Sequence, residues 1–199
     1  MKILTLFALK EETQGLFDDI KITYTGVGKV NASYTITKAI HTEKPDVIIN
    51  MGTAGSKKFN YGDLIFCNKF IQRDMNATAF GYKPFETPAE NTPQILEHYP
   101  EFLMQKNNIF DGIGICGTGD SFETNITGNE EYNVVEMEAY SYAKIAKIEN
   151  IPFICVKFIS DGADGNAPQS WGESLTIGAK KMRNVYDKIY EILSFTPPK

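Results

Sequence analysis

Hydrophobic residues along this chain fall into short continuous runs, and amphipathic stretches separate them. The runs at 2–9 (KILTLFAL), 21–27 (KITYTGV), 45–52 (PDVIINMG), 110–119 (FDGIGICGTG) and 151–160 (IPFICVKFIS) are bounded by Gly, Pro or charged residues. Their length, and the β-branched and aromatic residues in them, predict buried strands. Residues 63–74 (DLIFCNKFIQRD) add one or two more strands after a Gly-Asp turn at 62–63. Between these runs the spacing changes to that of helices. A short helix is expected at 11–20 and another at 29–42. A third is expected at 136–150, where Ala139, Ala143 and Ala146 would let it lie close on a sheet. In the last, at 172–194, Leu175, Ala179, Met182, Val185, Ile189 and Ile192 share one face. Residues 83–105 carry Pro84, Pro88 and Pro93 and predict an irregular surface loop followed by a short helix. Strands alternating with helices give an α/β fold built on a central sheet, and the 199 residues fit one domain, 1–199.

In open α/β sheets, ligands bind beyond the carboxyl ends of the strands. Polar or glycine-rich segments fall at five such ends: Glu11 and Glu12, Gly26 to Lys29, GTAG (52–55), GTGDSF (117–122) and SDGAD (160–164). A single one of these reads equally well as a turn or a helix cap. Together they predict a pocket lined by carboxylates and backbone amides.

Composition narrows the chemistry. A net charge of −5, with 42% apolar and 23% charged residues, fits a globular protein and argues against nucleic acid or an anionic membrane surface as partner. No run approaches the ~20 apolar residues of a membrane span. The apolar stretch at the N-terminus is short and acidic residues follow it at once, unlike a signal peptide. Cys67, Cys116 and Cys155 stand in apolar runs without CxxC spacing. They read as buried free thiols, and a cytoplasmic location follows as the expectation. GVGK (26–29) lacks the spacing of a P-loop, and GIGICGTG (112–119) is not a dinucleotide fingerprint. GxSxG is absent. His41 and His98 stand in polar contexts without metal-ligand spacing, so no metal and no cofactor are expected. Carboxylates remain as the chemical players.

The stretch VVEMEAYSYAKIAKIENIPFICVKFISDGAD (134–164) resembles the signature region of the nucleoside phosphorylase/nucleosidase superfamily, and most of all its methylthioadenosine/adenosylhomocysteine nucleosidases. ALKEET (8–13), TGVGKVNA (25–32), KPDVIINMGTAG (44–55), TAFGY (78–82) and GTGDSF (117–122) match further segments in order. The resemblance implies a three-layer sandwich with a mixed central sheet. It also implies a hydrolase that cleaves the N-glycosidic bond of a purine nucleoside, and a homodimer. Glu12 would activate the attacking water, and Asp161 would protonate the purine at N7, placed by Ser160. Glu138 and Met137 would meet the ribose, with Val135 and Glu136 beside them. Phe122 would stack on the base and Glu123 would stand at its edge. Thr53 and Gly55 would lie near ribose and water, and Phe80 and Trp171 would form apolar walls.

The chemistry suits these residue types. Breaking an N-glycosidic bond builds positive charge on the sugar and negative charge on the base, which a carboxylate and a carboxylic acid can stabilise. The segment KPFETPAENTP (83–93) departs from the Gly-Gln-x-Pro-Gly expected where the family encloses the 5′-substituent, and Glu123 stands where an apolar residue is usual. A phosphorolytic enzyme of the same fold is the alternative. Phosphorylases hold phosphate with arginines; the turn at 26–29 has none, and the chain's two arginines, Arg73 and Arg183, fall elsewhere.

Overall fold

The computed structural model describes the chain except residues 91–92, 101–102, 104–108, 125–129, 165–166 and 196–199, and the side chains of 167–170. Among the described residues eight strands and three helices form the body: β1 (Ile3–Phe7), β2 (Ile22–Tyr24), α1 (Lys29–Glu43), β3 (Val47–Gly55), β4 (Leu64–Gln72), β5 (Leu96–Glu97), β6 (Gly112–Thr118), β7 (Val134–Glu136), α2 (Ala139–Ile148), β8 (Phe153–Asp161) and α3 (Ala167–Phe195).

The strands join in the order β2-β1-β3-β7-β6-β4-β5, and β8 pairs with both β3 and β4. Strands β3, β7, β6, β4 and β8 thereby close into a ring. The sheet is mixed: β8 runs parallel to β3 and antiparallel to β4. Alternate residues of each strand face opposite layers. Ile48, Ile65, Cys67, Phe153 and Cys155 pack with Ala32 and Ile36 of α1 and with Ala139, Tyr142, Ala143 and Ala146 of α2. Ile49, Met51, Phe66, Ile154 and Val156 pack with Met182, Val185, Ile189 and Ile192 of α3. The result is helix, sheet and helix, as the resemblance implied. The alanines of α2 are fully buried and bring its backbone close to the strands.

Where elements start and stop follows local chemistry. Helix α1 ends at Lys44, which is left-handed at φ 50, directly before Pro45. The region 11–20 is not the expected helix. Only the 3-10 turn Lys10–Glu12 forms, and Gln14 and Gly15 at φ 47 and 72 break any continuation. The helix expected from 136 begins at Ala139, because Val134 to Glu136 pair with β6 as a strand. The Pro-rich stretch contributes the two-residue strand β5 on the edge of β4; the short helix expected near its end lies largely outside the described residues. In the last helix Leu175 is only half-buried, whereas Ala179, Met182, Val185, Ile189 and Ile192 are buried. Among the described residues no helix is long and apolar enough to cross a membrane.

Candidate active site

A cavity of about 250 Å³ opens where the carboxyl ends of β3, β6, β7 and β8 converge. Glu12, Thr53, Gly55, Phe122, Glu123, Val135, Glu136, Met137, Glu138, Ser160, Asp161 and Trp171 all line it. Phe80 does not. It lies on the 3-10 turn Thr78–Phe80 and is 84% exposed. TAFGY folds into a surface turn closed by Phe80 N donating to Ala77 O, rather than into a strand end that would carry the ring inward.

Glu12 is buried, with only 4% of its surface exposed. Its Oε1 accepts the Thr53 backbone N–H at 2.8 Å and the Thr53 hydroxyl at 2.9 Å. Its Oε2 accepts the Leu9 N–H at 3.1 Å. The Thr53 Oγ1 in turn accepts the Trp171 indole N–H at 2.8 Å. A Cβ on Gly52 would stand 3.0 Å from Glu12 Oε1, so a glycine there leaves the carboxylate its place.

Asp161 closes β8, and a register irregularity positions it. Ala54 pairs with Ile159 but Gly55 pairs with Asp161, which makes Ser160 the extra residue of a bulge. The Ser160 hydroxyl donates to Asp161 Oδ2 at 2.7 Å, and Oδ1 accepts the Ala163 N–H at 2.9 Å in an Asx-type turn. A Cβ on Gly55 would come within 2.6 Å of Asp161 Oδ1 and 3.0 Å of Ala163 Cβ. This position admits no larger residue without displacing the carboxylate.

The two glutamates of EME behave differently. Glu136 Oε2 accepts the N–H groups of Glu138 and Ala139 at 2.9 and 2.8 Å, capping α2, and the Lys157 ammonium at 3.1 Å; the Thr118 hydroxyl donates to Oε1. Burial works against its charge, but Lys157, Thr118 and these amides hold its pKa below the usual glutamate value. Burial likewise opposes the Lys157 ammonium, and Glu136 overcomes it, so the lysine's pKa is raised. Among the described residues the Glu138 carboxyl accepts only the Gly28 N–H, at 2.8 Å on Oε1. Burial, and then the negative charge of Glu136, push its pKa up to about 8, against smaller opposing effects of Lys157 and the Gly28 amide.

Opposite Asp161 stands the segment after β6. Arg73, just past the end of β4, reaches across it and pairs with Glu123 at 3.2 Å. Val27 and Ser121 line the cavity within segments expected at strand ends, whereas the sequence reading left out Arg73, Ala8 and Leu9, which line it too, and Lys157 beneath it. Only Lys157 carried a signal, as a lone cation inside the apolar run FICVKFIS. The others act through the fold's convergence. Cys67, Cys116 and Cys155 are free and buried. Among the described residues no cluster of His, Cys, Asp or Glu could hold a metal ion.

Residues 13–191 match the Phosphorylase superfamily. A curated relative, the 5′-methylthioadenosine/S-adenosylhomocysteine nucleosidase of Staphylococcus haemolyticus, is 32% identical over 188 residues, covering 88% of this chain and 82% of that one. The fold is shared with crystal structures below 25% identity. One is the S-adenosylhomocysteine nucleosidase of Streptococcus pyogenes with 5-methylthiotubericidin, at TM-score 0.84 and 24% identity over 100% of this chain and 98% of the other. Another is a Helicobacter pylori 5′-methylthioadenosine/S-adenosylhomocysteine nucleosidase, at TM-score 0.86 and 21% identity over 96% and 98% of the two chains. By this match along most of its length, and by the carboxylate-lined cavity at the strand ends, the chain belongs to the phosphorylase superfamily, among its nucleosidases.

Proposed function

We propose that this chain hydrolyses the N-glycosidic bond of an adenine nucleoside carrying a 5′-thio substituent, methylthioadenosine or adenosylhomocysteine, and releases adenine. The observation that supports hydrolysis over phosphorolysis lies at the start of α1. A helix N-terminus is a ready anion site, but here the protein's own carboxyl side chains fill it. Glu138 takes the Gly28 N–H and Asp120 takes the Lys29 N–H at 2.8 Å each. The Lys29 ammonium is tied at 2.5 Å to Asp74. A phosphate would have to displace two carboxyl groups from the amides it needs, the turn 26–29 itself contains no arginine, and Arg73 in the cavity is committed to residues 119–123.

In the proposed reaction the C1′–N9 bond breaks as positive charge gathers on the sugar. Asp161, placed by Ser160, gives a proton to N7 of the departing base. Water adds its oxygen to C1′ and passes a proton to Glu12, whose oxygens are oriented by Thr53 and Leu9. Glu138 and Met137 meet the ribose, with Val135 and Glu136 behind them, and Phe122 stacks on the base. Trp171 and Gly55 complete the wall. General acid–base help of this kind is worth on the order of 10²–10⁴-fold for each group.

The same reading gives a cytoplasmic enzyme of methionine salvage that works as a homodimer. Val30 and Tyr34, one turn apart on α1, are 79% and 69% exposed, and the exposed Phe80 offers a further apolar contact. Light scattering checks the dimer. The deciding experiment incubates the protein with methylthioadenosine, adenosylhomocysteine, adenosine and inosine, each with and without phosphate. Free sugar and adenine without phosphate are expected from the first two. A sugar 1-phosphate formed only when phosphate is added would overturn the proposal.

A further inference from the structure

Arg73 is absent from the roles given above, yet it lines the same cavity and its side chain is only 5% exposed. Its backbone N–H donates to Thr118 O at 2.9 Å, which fixes its Cα beside the end of β6. Among the described residues its guanidinium hydrogen bonds go to one short segment. Nη2 donates to Ser121 O at 2.5 Å and Gly119 O at 3.4 Å, and Nη1 to Ser121 Oγ and Glu123 Oε2, both at 3.2 Å. The guanidinium lies flat on Gly119, where a Cβ would meet Cζ at 2.8 Å. The remaining donor, Nε, is buried without a hydrogen-bond partner among the described residues. The group is therefore placed for its contacts with 119–123 and not for full satisfaction of its own donors.

Phe122 sits between Ser121 and Glu123, two of the three residues this guanidinium holds, and it is 52% exposed at the cavity. A half-exposed ring on a loop stacks well only if the loop is fixed before the ligand arrives. We infer that Arg73 is a positioning residue for base recognition: its fork clamps residues 119–123 so that Phe122 is presented to the base, and its pairing with Glu123 orders the residue that stands at the base edge. The clamp is remote from Glu12 and Asp161 along the chain and shares no hydrogen bond with either. It therefore governs binding of the base and leaves the water and proton steps alone. This inference rests on the nucleosidase reading of the site.

The test compares wild type, Arg73→Met and Arg73→Lys. Turnover is measured on methylthioadenosine, and adenine binding by titration calorimetry. Arg73→Met is expected to raise KM at least about tenfold, with kcat within about threefold and an unchanged pH profile of kcat, the pattern of lost uniform binding. Adenine should weaken in parallel. Lysine, a single-point donor, should restore part of the loss because it can reach a carbonyl but cannot make the fork. If Arg73→Met does not fold, Arg73→Lys and Ser121→Ala carry the test, with intermediate KM increases expected. An unchanged KM and unchanged adenine affinity would overturn the inference, as would a fall in kcat alone. If wild type cleaves no nucleoside, the functional reading fails, while adenine binding by the variants still judges the clamp.

Discussion

The two walls of the cavity are built by different means. On one side, β3 and β8 hold Glu12, Thr53, Ser160 and Asp161 through strand register and backbone amides, and Glu12 and Asp161 are 4% and 7% exposed. On the other, the segment carrying Phe122 is a loop tied by Arg73 to Gly119, Ser121 and Glu123 and by Asp120 to the Lys29 and Asp74 region, and Phe122 is 52% exposed. The first wall is finished without substrate. The second leaves an apolar face half open at the cavity. Groups that transfer protons gain from fixed geometry, since misplacement is costly in rate; a stacking surface holds no reacting atom, so fixing its loop beforehand acts on affinity. On the proposed reading, changes to the first wall should act on kcat and changes to the second on KM.

The largest effects should therefore come from the two carboxylates of the rigid wall, and they should differ in stability. Asp161→Asn is expected to lower kcat at least ~10²-fold, because an amide can hydrogen-bond N7 but has no proton to transfer. Its melting temperature should hold, since the Ser160 hydroxyl can turn from donor to acceptor. Glu12→Gln should lose a similar factor in rate and also stability. All three bonds of Glu12 are accepted from Leu9 and Thr53, so either orientation of the amide sets a donor against a donor. A mismatch of this kind costs about 1–3 kcal/mol, or a few degrees per kcal/mol for a chain of this size. Near-wild-type turnover in either variant would remove that residue from the mechanism, and equal melting temperatures in both would break the account of the wall.

Gly55→Ala tests the same wall through the backbone. The added methyl would overlap Asp161 Oδ1 at 2.6 Å and crowd Val135 at 3.2 Å. Overpacking of this sort costs about 1–3 kcal/mol, and the displaced carboxylate should lower kcat about tenfold or more with little change in KM. A variant that lost only affinity would show that Asp161 serves binding.

This division also decided what could be read from the sequence. Strand runs ending in Gly-Thr-Ala-Gly and Ser-Asp-Gly mark the rigid wall along the chain, so Thr53, Gly55, Ser160 and Asp161 were legible. The bulge at Ser160 was not, because register depends on the partner strand. Arg73 follows an ordinary strand and precedes an ordinary turn; its meaning comes from a segment some fifty residues away, as in the Glu123 pair. The helix expected at 11–20 failed because polar periodicity cannot reveal left-handed residues such as Gln14. Phe80 was drawn toward the site by the resemblance of TAFGY, while the local turn keeps it outside.

The last effect is read in stability and its pH dependence, and concerns Glu138, which touches the start of α1 at Gly28 and also lines the cavity. Burial and Glu136 raise its pKa from the usual 4.5 to about 8, so the folded protein holds this proton more tightly than the unfolded chain. The sign follows from linkage: the unfolded chain releases the proton first as pH rises, and this group's contribution to stability falls from about pH 4.5 to about pH 8 and is flat above. Glutamine mimics the protonated acid, because its oxygen can still accept the Gly28 N–H, and it does not titrate. Glu138→Gln should match wild type in urea midpoint at pH 5 and exceed it progressively toward pH 8 and beyond. Parallel midpoints across that range would mean that Glu138 is ionised in the folded protein as readily as in the unfolded one, and that Lys157 is shared between both glutamates and not committed to Glu136.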